Sequence, residues 1–138
     1  MDLPTPGAPA PRVLIVMPAH WPRALLRASL REVGYDAVGA RDLVDAFRDP
    51  PDDRGLVRLI ILDQDAVGGE DEPLLGDLLV RLRERHPAAG TVLIARATTR
   101  LPRGAWERVL RRPISMDGIV RAVEALVPLP PEARRPLD

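Results

Sequence analysis

The sequence predicts an α/β domain in which a parallel sheet is covered on both faces by helices. Three observations carry that expectation. Short apolar runs without polar interruption recur along the chain, as in strands buried on both faces. Between them lie segments whose leucines and valines repeat at three and four residues, the spacing of one helix face. Strands and helices alternate, and the crossovers this requires leave neighbouring strands parallel. A chain of 138 residues has room for one such domain around a single core. Aromatic residues make up only 3%, so that core falls to Leu, Val, Ile and Ala.

The elements follow in order. Val13-Leu14-Ile15-Val16-Met17 is the first buried strand. Pro22 fits the first turn of the helix after it; Leu26, Leu30 and Val33 mark its inner face, and Gly34 stops it. Tyr35-Asp36-Ala37-Val38 is a short second strand, and Leu43, Val44 and Phe47 mark a brief second helix ended by Pro50-Pro51. Leu59-Ile60-Ile61-Leu62 is a third strand ending at Asp63. Leu75, Leu78, Leu79 and Leu82 predict a third helix stopped before Pro87. Val92-Leu93-Ile94-Ala95 is the fourth strand and Val109-Leu110 a short fifth. Ser115 is placed to cap a last helix carrying Ile119, Val120, Val123 and Leu126. The rhythm breaks between Ala97 and Val109, where Pro102 and Gly104 leave little room for a regular helix; a fourth helix there is expected to be short, displaced or absent. The proline-rich ends, residues 1–11 and 128–138, are expected as disordered arms around a folded body of residues 12–127.

Composition excludes several chemistries. Cysteine is absent, which removes disulfides, thiolate nucleophiles and cysteine-ligated metals. His20 and His86 are the only histidines, too few for a histidine-built zinc site. All 20 basic side chains are arginine, so no amine is present for a Schiff base or a lysine-dependent phosphate loop. The 20 acidic side chains cancel them, leaving no global field toward nucleic acid or membrane. No apolar run reaches the ~18–20 residues that span a bilayer, and MDLPTPGAPAP has neither the basic start nor the apolar stretch of a signal peptide. A soluble cytoplasmic protein without metal or cofactor is the expectation.

The segments RVLIVMP, LREVGYDAVGA, LIILDQDAVGG, TVLIARA and VLRRPIS resemble, in this order, the strand regions of response-regulator receiver domains. The resemblance covers nearly all of residues 12–127 and implies a flavodoxin-like, doubly wound five-stranded parallel sheet of order 2-1-3-4-5. Receivers hold Mg²⁺ with an acidic pair after the first strand and a phosphoacceptor Asp after the third, neutralising charge as phosphoryl transfers to the carboxylate. A hydroxyl after the fourth strand and a Lys after the fifth then bind the phosphoryl oxygens.

Carried over position by position, most of this machinery is missing. The acidic pair falls on Met17 and Pro18, while the phosphoacceptor falls on Asp63 and is retained. The hydroxyl falls on Arg96, with Thr98 and Thr99 close by, and the Lys falls on Arg112, followed by the family's proline as Pro113. The aromatic switch position is Val109, and the loop proline is Val67 with Gly68 kept. Loss of the acidic pair, the hydroxyl and the aromatic together implies a pseudo-receiver, with the fold kept and the phosphorylation switch lost.

Charge placement adds a specific expectation. Six acidic and no basic residues lie from Asp63 to Asp77, and six Arg with one Glu lie from Arg96 to Arg112. In a doubly wound sheet both segments start at the carboxyl edge and face each other. This predicts that Arg96 or Arg112 pairs with Asp63, the planar guanidinium filling the space of a metal or phosphoryl group. A solvated face is the other reading of these arginines. Asp63 is expected as a loop carboxylate accepting backbone N–H groups, and Asp65 without a side-chain role. Trp21 is expected to pack over the sheet edge with His20 exposed, and Trp106 to anchor the remodelled segment on the core.

The resulting expectation is non-enzymatic: a phosphorylation-independent interaction module in bacterial signalling, binding a protein partner, with a homodimer also open, and neither nucleic acid nor membrane. Partner contacts are expected on Arg100, Arg103, Trp106 and Arg108, where the chain departs most from the family pattern, and on the last helix. Two alternatives stay open. One is a receiver accepting phosphoryl on Asp63 from a histidine kinase; the other is a flavodoxin-like binder of a small ligand, against which the glycine-free turn PAHWP counts.

Overall fold

Apolar side chains on both sides of consecutive strand residues can be buried only in a central sheet, and the chain builds one. A computed structural model describes residues 10–48, 56–67, 73–97, 100–101 and 105–130. Strands β1 (Arg12–Val16), β2 (Asp36–Ala40), β3 (Val57–Asp63), β4 (Gly90–Ala95) and β5 (Arg108–Arg111) form one sheet of order β2-β1-β3-β4-β5. Every neighbouring pair is parallel. This is the flavodoxin-like order expected. The helices are α1 (His20–Val33), α2 (Leu43–Ala46), α3 (Gln64–Val67), α4 (Pro73–Arg85) and α5 (Met116–Leu126).

Strand alternation sorts the core into two layers. Val13, Ile15, Leu59, Ile61, Val92 and Ile94 face one side, with Leu26 and Leu30 of α1 and Ile119 and Val123 of α5. Leu14, Val16, Ile60, Leu62, Leu93 and Ala95 face the other, with Leu43 of α2 and Leu79 and Leu82 of α4. Gly34 ends α1 at φ 128°, in the left-handed region that favours glycine, and its N–H donates to the Leu30 carbonyl. Ser115 caps α5 by accepting from Gly118 N at 3.0 Å.

The structure corrects the sequence reading of the fold at several places. Strand β2 begins one residue later than expected, because Tyr35 turns inward and its hydroxyl donates to the Val127 carbonyl at 2.6 Å, and it ends two residues later, pairing with β1 as far as Ala40. A short helix, α3, follows β3 directly where the sequence pattern carries no helical period. Leu129, assigned to the tail, is only 5% exposed and packs in the α1/α5 layer, so the folded body extends past residue 127. Residues 1–9 and 131–138 of the two expected arms lie outside the described residues.

None of the described residues between β4 and β5 is helical. Thr91 Oγ1 donates to the Ala105 carbonyl at 2.8 Å, and Glu107 N donates to the Thr91 carbonyl at 2.8 Å. These bonds hold the returning segment against β4, while Leu101 and Trp106 pack on the second core layer. No helix among the described residues is long and apolar enough to cross a membrane.

The Tyr35 hydroxyl joins the start of β2 to the end of α5, and removing it leaves a half-buried carbonyl without that donor. Tyr35→Phe is expected to lower stability by about 1 kcal/mol in urea denaturation; an unchanged midpoint would show that the bond contributes nothing.

Candidate functional site at the carboxyl edge of the sheet

Strand β3 runs through the middle of the sheet and ends in a carboxylate. The Asp63 side chain is 3% exposed, and an ionised group so placed requires a counter-charge and hydrogen-bond donors. Arg112, one residue past β5, supplies them: its Nη2 donates to Oδ2 at 2.6 Å and its Nη1 to Oδ1 at 3.2 Å. The two bonds make the planar two-point contact for which guanidinium is suited. The Asp65 backbone N–H donates to the same Oδ1 at 2.9 Å. Strand register sets the meeting: Asp63 lies beside Ile94 of β4, Ala95 lies beside Arg111 of β5, and Arg112 N donates to the Ala95 carbonyl at 2.9 Å. The Arg112–Pro113 peptide that follows is cis. The hydrogen bond to Asp63 raises the Arg112 pKa further above its ordinary value; partial burial opposes this, and the charges of Asp63 and Asp65 reinforce it.

Arg96 takes a different carboxylate. Its Nε donates to Asp65 Oδ1 at 2.8 Å, so of the two arginines offered to Asp63 only Arg112 reaches it. The expectation that Asp65 lacks a side-chain role is corrected here. Helix α3 starts right after Asp63 and places Asp65 on its exposed first turn, within reach of the end of β4. Both partners are about half exposed, so solvent screens this outer pair and it contributes little to stability.

Gln64 was not singled out from the sequence. It is 2% exposed, and its Oε1 accepts from Arg96 N at 2.8 Å while its Nε2 donates to the Arg100 carbonyl at 3.2 Å. A primary amide can do both jobs at once. Gln64 thereby ties the backbone beyond β4 to the end of β3, where the described residues provide no helix. An uncharged amide directly after a buried strand was the available signal.

At the end of β1, Met17 is buried and Pro18 exposed, and neither offers a carboxylate. Arg23, also unremarked in the sequence, donates from Nη1 to the Met17 carbonyl at 2.7 Å and to the Pro18 carbonyl at 3.3 Å. Its Nη2 lies 3.3 Å from His20 Nδ1. His20 is exposed as expected, but Trp21 does not cover the sheet edge: it is 73% exposed, its ring meeting that of His20 edge to face at 5.4 Å. Helix phase explains the correction. At about 100° per residue Trp21 lies about 140° around α1 from Leu26, which faces the sheet.

Mg²⁺ bound as in receivers does not fit these residues. A hard octahedral ion requires several free oxygens. Here both Asp63 oxygens are engaged by Arg112 or the Asp65 N–H, and the Met17 and Pro18 carbonyls by Arg23. Among the described residues no three His, Asp or Glu side chains cluster as metal ligands would. Of the residues expected to meet a partner, Arg100 and Arg108 are exposed and Trp106 is half-buried against the core. Arg103 lies outside the described residues, as do Gly68, Thr98 and Thr99.

Solved structures similar to this chain include a response regulator, a signal receiver domain and a chemotaxis protein. The response regulator TrrA of Thermotoga maritima, in complex with Mg²⁺ and BeF, is 22% identical over 85% of this chain and 99% of its own, with a TM-score of 0.63. The signal receiver domain of an HD domain-containing protein from Pseudomonas fluorescens Pf-5 is 21% identical over 86% of this chain and 94% of its own, also at 0.63. The chemotaxis protein CheY4 of Vibrio cholerae is 17% identical over 86% and 99%, again at 0.63. No family model and no curated protein matches the sequence. The chain thus has the CheY-like fold of receiver domains.

Gln64→Ala removes two hydrogen bonds from a buried site. It is expected to lower stability by about 1–3 kcal/mol and to speed exchange of the Arg96 amide in native-state hydrogen exchange. Unchanged Arg96 protection would contradict the tethering role.

Proposed function

We propose that this chain is a receiver-like domain that has lost the phosphorylation switch and works as a constitutive protein-interaction module in bacterial, cytoplasmic signalling. The single observation that carries the reading is the two-point Arg112 contact on Asp63. Phosphoryl transfer to a carboxylate requires one oxygen free to attack and a cation to neutralise the incoming charge. Here the carboxylate is already neutralised, and residues without carboxylates stand where the metal's acidic pair would be. The domain is then held in one state by its own side chains, and its role falls to surfaces, with Arg100, Arg103, Trp106 and Arg108 as the proposed partner contacts and no catalytic residue assigned.

One observation favours the second reading, a phosphorylatable receiver. Asp63 is retained, and Arg112 stands at the Lys position, where a guanidinium would suit phosphoryl oxygens. Intact-mass measurement after incubation with Mg²⁺ and acetyl phosphate separates the two. The expected result is an unmodified mass. A phosphoryl adduct that disappears in Asp63→Asn would overturn the reading and restore the switch.

A further inference from the structure

Helix α1 carries two apolar stripes. Leu26 and Leu30 face the sheet and are fully buried. Trp21, Leu25, Ala28 and Glu32 are all exposed, at spacings of four, three and four residues. That is the seam spacing of a helix packing lengthwise on another helix. Trp21 is 73% and Leu25 56% exposed, the two large apolar side chains of the stripe. A tryptophan left in water beside a leucine on the same face is characteristic of a contact surface.

We infer that this stripe is a homotypic seam, on which α1 of a second copy of this chain packs antiparallel about a two-fold axis near Leu25. The stripe is complementary to itself when reversed. Its bulky end, Trp21, meets the partner's small Ala28 and Ser29 region, and Leu25 meets its own counterpart. Charge follows the same rule. The amino end of α1 has no acidic residue in its first turn and no side-chain cap at Ala19, so neither offsets its partial positive charge. Exposed Glu32 stands at the opposite end of the stripe. Antiparallel packing brings each Glu32 toward the partner's uncapped amino end, whereas parallel packing would leave both mismatched.

The patch also sets the strength. A few hundred Å² per copy falls short of the roughly 800 Å² per partner of a standard stable interface. Association is therefore weak, with a dissociation constant on the order of tens of micromolar to a millimolar. The inference deepens the interaction-module reading by naming one partner, and its test reads assembly rather than phosphorylation. Failure here leaves the mass result untouched, and the reverse also holds.

Sedimentation velocity from about 10 µM to about 1 mM, without Mg²⁺ or phosphodonor, tests it. Wild type is expected to shift from monomer toward dimer with concentration. Leu25→Glu places like charges at the axis and is expected to weaken the dimer at least about tenfold, with an unchanged circular dichroism spectrum, since Leu25 is exposed. Glu32→Gln is expected to weaken it by a smaller factor. Wild type that stays monomeric throughout would overturn the proposal, as would a dimer indifferent to Leu25→Glu.

Discussion

A carboxylate buried at the end of the central strand is the constraint on which the candidate site depends. Asp63 lies buried where β3 leaves the sheet, and a carboxylate so placed requires hydrogen-bond donors and a counter-charge. Arg112 is that partner, which fixes where β5 must end and how the chain enters the turn at Pro113. The same contact occupies the position at which receiver domains do phosphoryl chemistry. One interaction therefore settles local structure and carries the proposed loss of the phosphorylation switch.

The neighbouring contacts divide by burial. The inner pair, Asp63 with Arg112, is closed on its acidic side; the outer pair, Asp65 with Arg96, is open to water on both. Coulomb attraction is weakened in the second case by solvent and salt, so the outer pair orients side chains more than it stabilises the fold. Gln64 works by geometry rather than charge, holding the chain after β4 from both a donor and an acceptor. Together these three consecutive residues, Asp63, Gln64 and Asp65, gather the ends of β3, β4 and β5 into one hydrogen-bonded cluster.

Much of the fold was legible in the sequence because its three central strands are buried on both faces. Uninterrupted runs such as Val13-Leu14-Ile15-Val16 admit few other placements, and Gly34 and Ser115 mark helix ends by mechanisms that act locally. Edge strand β2 was shifted because Ala37-Val38-Gly39-Ala40 carries a weak pattern, and the four-residue α3 is too short to show a helical period. The site was legible only in part. Charge counting put arginines opposite Asp63, but choosing between Arg96 and Arg112 required the strand register and the turn of α3. Trp21 was misplaced through its size, although its phase relative to Leu26 already pointed it outward. Arg23 gave no signal, because the backbone carbonyls it binds have no signature in sequence.

The central claim is that Asp63 and Arg112 depend on each other. A double-mutant cycle with Asp63→Asn and Arg112→Gln, read by urea denaturation, tests it most directly, because it cancels whatever each residue does alone. The account predicts a coupling energy of about 1–3 kcal/mol, with each single variant destabilised and the double variant less destabilised than their sum. Effects that add to within about 0.5 kcal/mol would mean that the two side chains do not hold each other, and the Asp63 carboxylate would then be free for the chemistry its position in the fold suggests.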